Sequence, residues 1–169
     1  MPEIARTPAL AASFVTCRAL ARQAGGSFAA GMRLCPGHRR DAMLVVYAWT
    51  RTADALADEP GRDAHPRRAD LADFREQTIA ALAGDPDPSG SWAAVSATAM
   101  RYELDPRWCT DLLEGVESDV GPRQPETLAD LLEYCRRVAS TVGLMCVRIW
   151  GTVGPTPWAD IEPLAIRRG

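Results

Sequence analysis

Tyr47, Arg51, Asp54 and Asp58 are the side chains in this sequence best suited, by type and spacing, to do chemistry. They are separated by four, three and four residues. At about 100° per residue, that spacing sets all four within a narrow arc on one face of a helix. Two carboxylates one turn apart repel each other and slightly destabilise an isolated helix. A divalent cation between them turns the repulsion into attraction. Magnesium favours this arrangement, taking one or two carboxylates and completing its octahedron with waters and phosphate oxygens. Arg51 adds a planar fork matched to phosphate oxygens, and Tyr47 adds a hydroxyl at the inner end of the stripe. Taken alone, the stripe reads more simply as a solvated helix face, with Arg51 and Asp58 as ordinary surface charges.

The elements that must position these residues are helices. No convincing alternating strand or hairpin signal occurs, and Pro and Gly punctuate a series of amphipathic segments. The pattern predicts a first helix over 8–24, stopped at Gly25 and Gly26. A short second helix starts near Ser27 and ends before Pro36. The long helix carrying the stripe covers 38–58 and is closed by Glu59, Pro60 and Gly61. Further helices are expected over 67–83, 91–103 and 106–118. The first of these has Leu71, Phe74, Ile79 and Leu82 as its core side. Thr127, with Asp130 three residues on, resembles a capping box and opens a long helix through Trp150. A last helix follows Pro157. The expected class is all-α, with residues 1–169 forming one helical domain.

Composition narrows the function. Of the 169 residues, 47% are apolar and 24% charged, which is a globular composition. The net charge of −3, from 19 basic and 22 acidic residues, excludes the basic surplus that a nucleic-acid binder needs. It leaves room for an anionic ligand held through a metal, because the metal then supplies the positive charge. Five widely spaced cysteines, without a CxxC, predict reduced thiols in a cytoplasmic protein rather than disulfides or zinc. His38 and His65 stand outside any metal-ligand spacing and read as surface residues. Arg6, Arg18 and Arg22 interrupt the only stretch that looks like a signal peptide.

The stripe has company. Ser27 and Phe28, then Leu34, Cys35 and Pro36, then Arg39 to Met43, lead into Tyr47, Ala48, Arg51, Asp54, Asp58 and Glu59. Far downstream stand Leu112 to Asp119 and then Tyr134, Cys135, Val138, Ala139, Ser140, Val142 and Gly143. Two separated stretches in this order resemble the squalene/phytoene synthases over nearly the whole chain. The resemblance implies an isoprenoid-synthase-type helical bundle around a central cavity. It also implies transferase activity, joining two allylic prenyl diphosphates, farnesyl or geranylgeranyl, head to head. By position, Asp54 and Asp58 would hold Mg2+ on a substrate diphosphate. Arg51 and Tyr47 would contact that diphosphate or its surroundings, and Tyr134 would face the reacting carbons. Val138, Ala139 and Gly143 would line the prenyl tunnel, with Ser27 and Phe28 near its mouth. Tyr134 equally suits a core tyrosine with a bonded hydroxyl, and Val138, Ala139 and Gly143 equally suit close helix packing. NADPH enters only for a squalene-type product. The wording from Val138 to Gly151 leans towards bacterial squalene-route relatives. Release of so apolar a product implies peripheral contact with a membrane.

The sequence also departs from the family. The inner positions of the Asp motif are Ala55 and Ala57, where relatives often carry another acid, and Ser140 replaces a usual glycine. The family's second Asp-rich motif has no equivalent here. Asp111, Glu114 and Glu117 read as an ordinary polar helix face rather than its substitute. The expectation is therefore an N-terminal part, C-terminally truncated: a fragment, a shortened gene product, or half of a split enzyme with a complementing C-terminal half. The rival is a non-catalytic fragment or partner subunit. A terpene cyclase of the same fold is disfavoured by the segment around Tyr134.

Overall fold

A computed structural model describes residues 7–25, 31–121, 125–154 and 156–167. Among these residues every regular element is helical. The helices are α1 (Pro8–Ala24), α2 (Gly37–Ala57), α3 (Ala64–Leu82), α4 (Trp92–Tyr102), α5 (Pro106–Ser118), α6 (Leu128–Cys135), α7 (Thr141–Trp150) and α8 (Trp158–Ile166). A short 3-10 turn, Met32–Leu34, precedes α2, and a π-helical turn, Arg136–Ser140, joins α6 to α7. No helix among the described residues is long and apolar enough to cross a membrane. The chain forms two compact units, one of residues 1–52 and 76–104, the other of residues 53–75 and 105–169.

In the first unit, α1 follows the sequence pattern closely. The Thr7 side chain accepts from the Leu10 amide at 3.2 Å, Pro8 opens the helix, and Gly25 closes it at φ 66°. Its inner stripe is Ser13, Phe14, Cys17 and Ala21. Arg18 grips the Asp41 carboxylate of α2 with two bonds, at 3.1 and 2.8 Å. The Ser13 hydroxyl accepts from the Ala94 amide in the first turn of α4 at 2.9 Å. That amide also leans on the Ser91 carbonyl at 3.1 Å, while the Ser91 side chain itself makes no capping bond.

The expected core side of α3 needs correction. Leu71 and Phe74 are buried, but Ile79 is 49% exposed and Leu82 is only partly covered. The buried stripe continues instead through Thr78 and Ala81. Thr78 holds an inward position because its hydroxyl accepts the buried indole N–H of Trp49 at 3.0 Å. A buried indole donor without a partner would destabilise the protein by about 1–3 kcal/mol. Of the predicted helix near Ser27, the described part is Gly31, which is helical, followed by the 3-10 turn, and Ser27 itself lies outside the described residues.

In the second unit, Asp105 caps α5 by accepting from the Arg107 amide at 2.9 Å, and Pro106 takes the first helical position. The inner face of α5 is Trp108, Cys109, Leu112, Leu113, Gly115 and Val116. Thr127 and Asp130 form the expected capping box at the start of α6. Trp158 of α8 stacks at 5.7 Å from Trp108 and receives the Arg148 guanidinium 4.7 Å over its ring. All five cysteines are free thiols. His38 and His65 are exposed, as their sequence context predicts.

Candidate active site

The carboxylates of Asp54 and Asp58 belong to the second unit, at the C-terminal end of α2. The helix closes at Ala57, yet the Asp58 amide still bonds the Asp54 carbonyl at 2.9 Å. Helical spacing between the two acids is therefore kept. Arg67, in the first turns of α3, donates to the Ala57 carbonyl. This places a positive charge on the negative end of the α2 dipole and fixes where the helix stops. Arg62 bridges Glu59 and Asp70, bracing the turn that follows.

A third acid joins them. Asp119, just past α5, accepts the Tyr134 hydroxyl proton at 2.9 Å. Its position is set by Arg68, which donates to the neighbouring Val120 carbonyl at 3.0 Å. Loss of hydration raises the Asp119 carboxyl above its usual range, and the negative charge of Asp58 raises it further. The Tyr134 hydrogen bond pulls the other way. Tyr134 is pushed up to about 12, first by burial, then by the Asp119 hydrogen bond and charge, then by the charge of Asp54. The helix-end acids thus reach the pair: Asp58 acts on Asp119, and Asp54 acts on Tyr134. With its proton held that firmly, Tyr134 is a hydrogen-bond donor throughout the physiological range.

Tyr47 and Arg51 belong to the first unit, where the Tyr47 hydroxyl donates to the Gly25 carbonyl at 2.8 Å and Arg51 is exposed on α2. Ser27 and Phe28 fall outside the described residues. Val138 and Ala139 stand in the π turn, and Gly143 in the first turn of α7, all half-buried. Val138 packs on Gly115 of α5, and Gly143 approaches the Ala165 carbonyl of α8. Asp111, Glu114 and Glu117 are ion-paired with Arg136, Arg137 and Arg75 at 2.8, 3.5 and 3.0 Å. They form the structural face the sequence suggests. A cleft of about 200 Å³ between Trp108, Asp111, Arg136, Thr141 and Ile166 is lined by none of the candidate residues.

Sequence reasoning gave no role to Asp119, Arg67 or Arg68. Asp119 had a signal, because it ends the downstream stretch that begins at Leu112. The two arginines act through backbone carbonyls, and that leaves no pattern in a sequence. Among the described residues, no group of three or more His, Cys, Asp or Glu side chains is gathered closely enough to cage a metal.

Comparison with known proteins shows which family the chain resembles. The squalene/phytoene synthase family profile matches residues 21–169. A 15-cis-phytoene synthase from Paracoccus sp. is 38% identical over 134 residues, covering 76% of this chain and 44% of that protein. A 15-cis-phytoene synthase from Synechococcus elongatus is 32% identical over 157 residues, covering 91% of this chain and 50% of that protein. The crystal structure of a squalene synthase from Alicyclobacillus acidocaldarius superposes with a TM-score of 0.79 at 26% identity. That match covers 95% of this chain and 58% of the other. The chain spans about half the length of the curated relatives it matches.

Proposed function

The chain belongs to the squalene/phytoene synthase family, and from that premise we propose that it carries the first aspartate motif of a magnesium-dependent transferase joining two allylic prenyl diphosphates head to head. The observation that supports this most is the grouping, in one unit, of Asp54 and Asp58 with the Tyr134–Asp119 pair. A carboxylate whose proton affinity is raised by a neighbouring acid gains from a cation between them.

In this proposal Asp54 and Asp58 hold Mg2+ on the substrate diphosphate. The donor set is all oxygen and supplies two carboxylates rather than a cage, which suits an ion that keeps waters and shares substrate oxygens. When bound, the ion neutralises charge on the departing diphosphate. Arg51, one turn before Asp54 in the sequence of α2, donates its fork to diphosphate oxygens. Tyr47 supports that region through its bond to Gly25. Ser27 and Phe28 take the cavity mouth by sequence position.

The reaction breaks the C1–O bond of one substrate, and the electron pair leaves with diphosphate. The C2–C3 π electrons of the second substrate bond to that C1, and loss of a proton closes a cyclopropane. The products are a cyclopropylcarbinyl diphosphate, diphosphate and a proton. Tyr134 faces the reacting carbons with a ring that stabilises positive charge and a hydroxyl fixed on Asp119. Val138, Ala139 and Gly143 provide an apolar path that keeps water from the cation. Farnesyl or geranylgeranyl diphosphate is the substrate class, and NADPH would be needed only for a squalene-type product.

The test is magnesium-dependent consumption of farnesyl and geranylgeranyl diphosphate by the natural-length protein, alone and with the product of a neighbouring gene. Turnover by the protein alone supports the transferase. Turnover only with the second product identifies a complementing half. No consumption in any arrangement overturns the proposal and leaves a non-catalytic member of the family.

A further inference from the structure

The helix that carries Tyr134 is not uniform. Between α6 and α7, the Thr141 amide reaches back five residues to the Arg136 carbonyl, which opens a π turn over Arg136–Ser140. In an α-helix that amide would bond the Arg137 carbonyl. Here the Thr141 hydroxyl bonds the Arg137 carbonyl at 2.5 Å instead. Thr141 therefore satisfies both carbonyls, one with its backbone and one with its side chain. A buried carbonyl left without a partner would favour collapse of the turn to regular helix. Thr141 is 1% exposed, so its hydroxyl is committed to this bond inside the fold rather than to solvent.

The same turn is seated on α5 through a glycine. A Cβ at Gly115 would stand 2.5 Å from the Val138 Cγ1 and 3.2 Å from the Arg137 Cβ, with the Val138 backbone nitrogen at 3.7 Å. Val138 is β-branched and stiff, and the other near atoms belong to or adjoin the backbone. Relief thus requires the turn to move away from α5. The two strips run antiparallel in register, with Gly115 opposite Val138 and Asp119 opposite Tyr134, four residues along each helix. Displacement at the first pair is transmitted to the second.

We propose that Gly115 and Thr141 are positioning residues: together they lock the π turn against α5 and thereby hold the Tyr134 hydroxyl on Asp119. This rests on the transferase reading only for its catalytic consequence. The geometric part stands without it.

The chain contains three tyrosines, Tyr47, Tyr102 and Tyr134. Protein labelled with 3-fluorotyrosine therefore gives three 19F resonances, assigned by Tyr→Phe variants. Asp119→Asn supplies the reference shift for a Tyr134 that has lost its carboxylate partner. In Gly115→Ala the Tyr134 signal is expected to move towards that reference while those of Tyr47 and Tyr102 stay. Gly115→Ala combined with Val138→Ala is expected to bring it back. Should Gly115→Ala fold poorly by circular dichroism, Thr141→Val is nearly isosteric, removes only the hydroxyl bond, and is expected to move the same signal. In the active enzyme, Gly115→Ala lowers kcat on the order of tenfold to a hundredfold with little change in KM. A folded Gly115→Ala or Thr141→Val protein with an unmoved Tyr134 resonance overturns the inference. A wild type that shows the expected shifts but consumes neither diphosphate, alone or with the neighbouring gene's product, overturns the transferase reading and leaves the positioning role intact.

Discussion

Two acidic faces in the second unit are built from the same residue types and act on different neighbours. On α5, Asp111, Glu114 and Glu117 each meet an arginine. At the end of α2, Asp54 and Asp58 send their fields onto another acid and a tyrosine. The acids of α5 are neutralised by arginines within the fold and have little left to offer a ligand. Asp58 instead raises the proton affinity of a neighbouring carboxylate, which a cation would relieve.

The largest expected effect separates the two faces directly. Asp54→Ala or Asp58→Ala should lower magnesium-dependent release of diphosphate by on the order of a hundredfold or more, because charge stabilisation of the leaving group is lost. Asp111→Asn or Glu117→Gln should change it far less. Equal losses on both faces would erase the distinction. Next in size is a ligand effect on stability. Magnesium with inorganic diphosphate should raise the melting temperature of the wild type, as any ligand binding the native state does. It should leave that of an Asp54→Ala, Asp58→Ala double variant unmoved.

Smaller effects probe the paired face. Arg136→Ala removes partners from Asp111 and Glu133. These groups are part-exposed and solvent-screened, so chemical denaturation should show a loss of about 1 kcal/mol or less. Glu133 is held down to about 2, chiefly by Arg136 and then by Arg137, from an ordinary value of 4.5. A depressed carboxylate stabilises the fold above its unfolded value and loses that contribution as the pH falls towards its folded one. Wild type should therefore be more stable than Glu133→Gln above about pH 4.5, and the two should converge as the pH falls towards about 2. The difference should be slight and should shrink in high salt.

The fold was legible where local signals suffice. Thr7, Pro8 and Gly25 mark both ends of α1, and Thr127 with Asp130 marks the start of α6. Ile79 misled because an apolar residue one step off the buried stripe looks like a core residue until Thr78 is known to serve Trp49. The π turn was hidden for a similar reason. Val138, Thr141 and Met145 fit a regular helix by count, and only a partner on α5 shows where the extra residue goes. Of the candidate site, the two aspartates and Tyr134 were readable as residue types at a spacing. Asp119 was not assigned, because its role depends on a hydroxyl 15 positions away. Arg67 and Arg68 read only as basic residues at the start of a helix.

The contact between Ser13 and Ala94 bears on how the protein is made. A helix emerging from the ribosome ordinarily brings its own cap, but the first turn of α4 takes a hydroxyl from a segment synthesised 81 residues earlier. Until that earlier helix has docked, α4 lacks one of the bonds that hold its beginning. Amide exchange at Ala94 should therefore slow further when α1 arrives, beyond what its bond to the Ser91 carbonyl gives, so a single backbone proton can report the joining of the two segments.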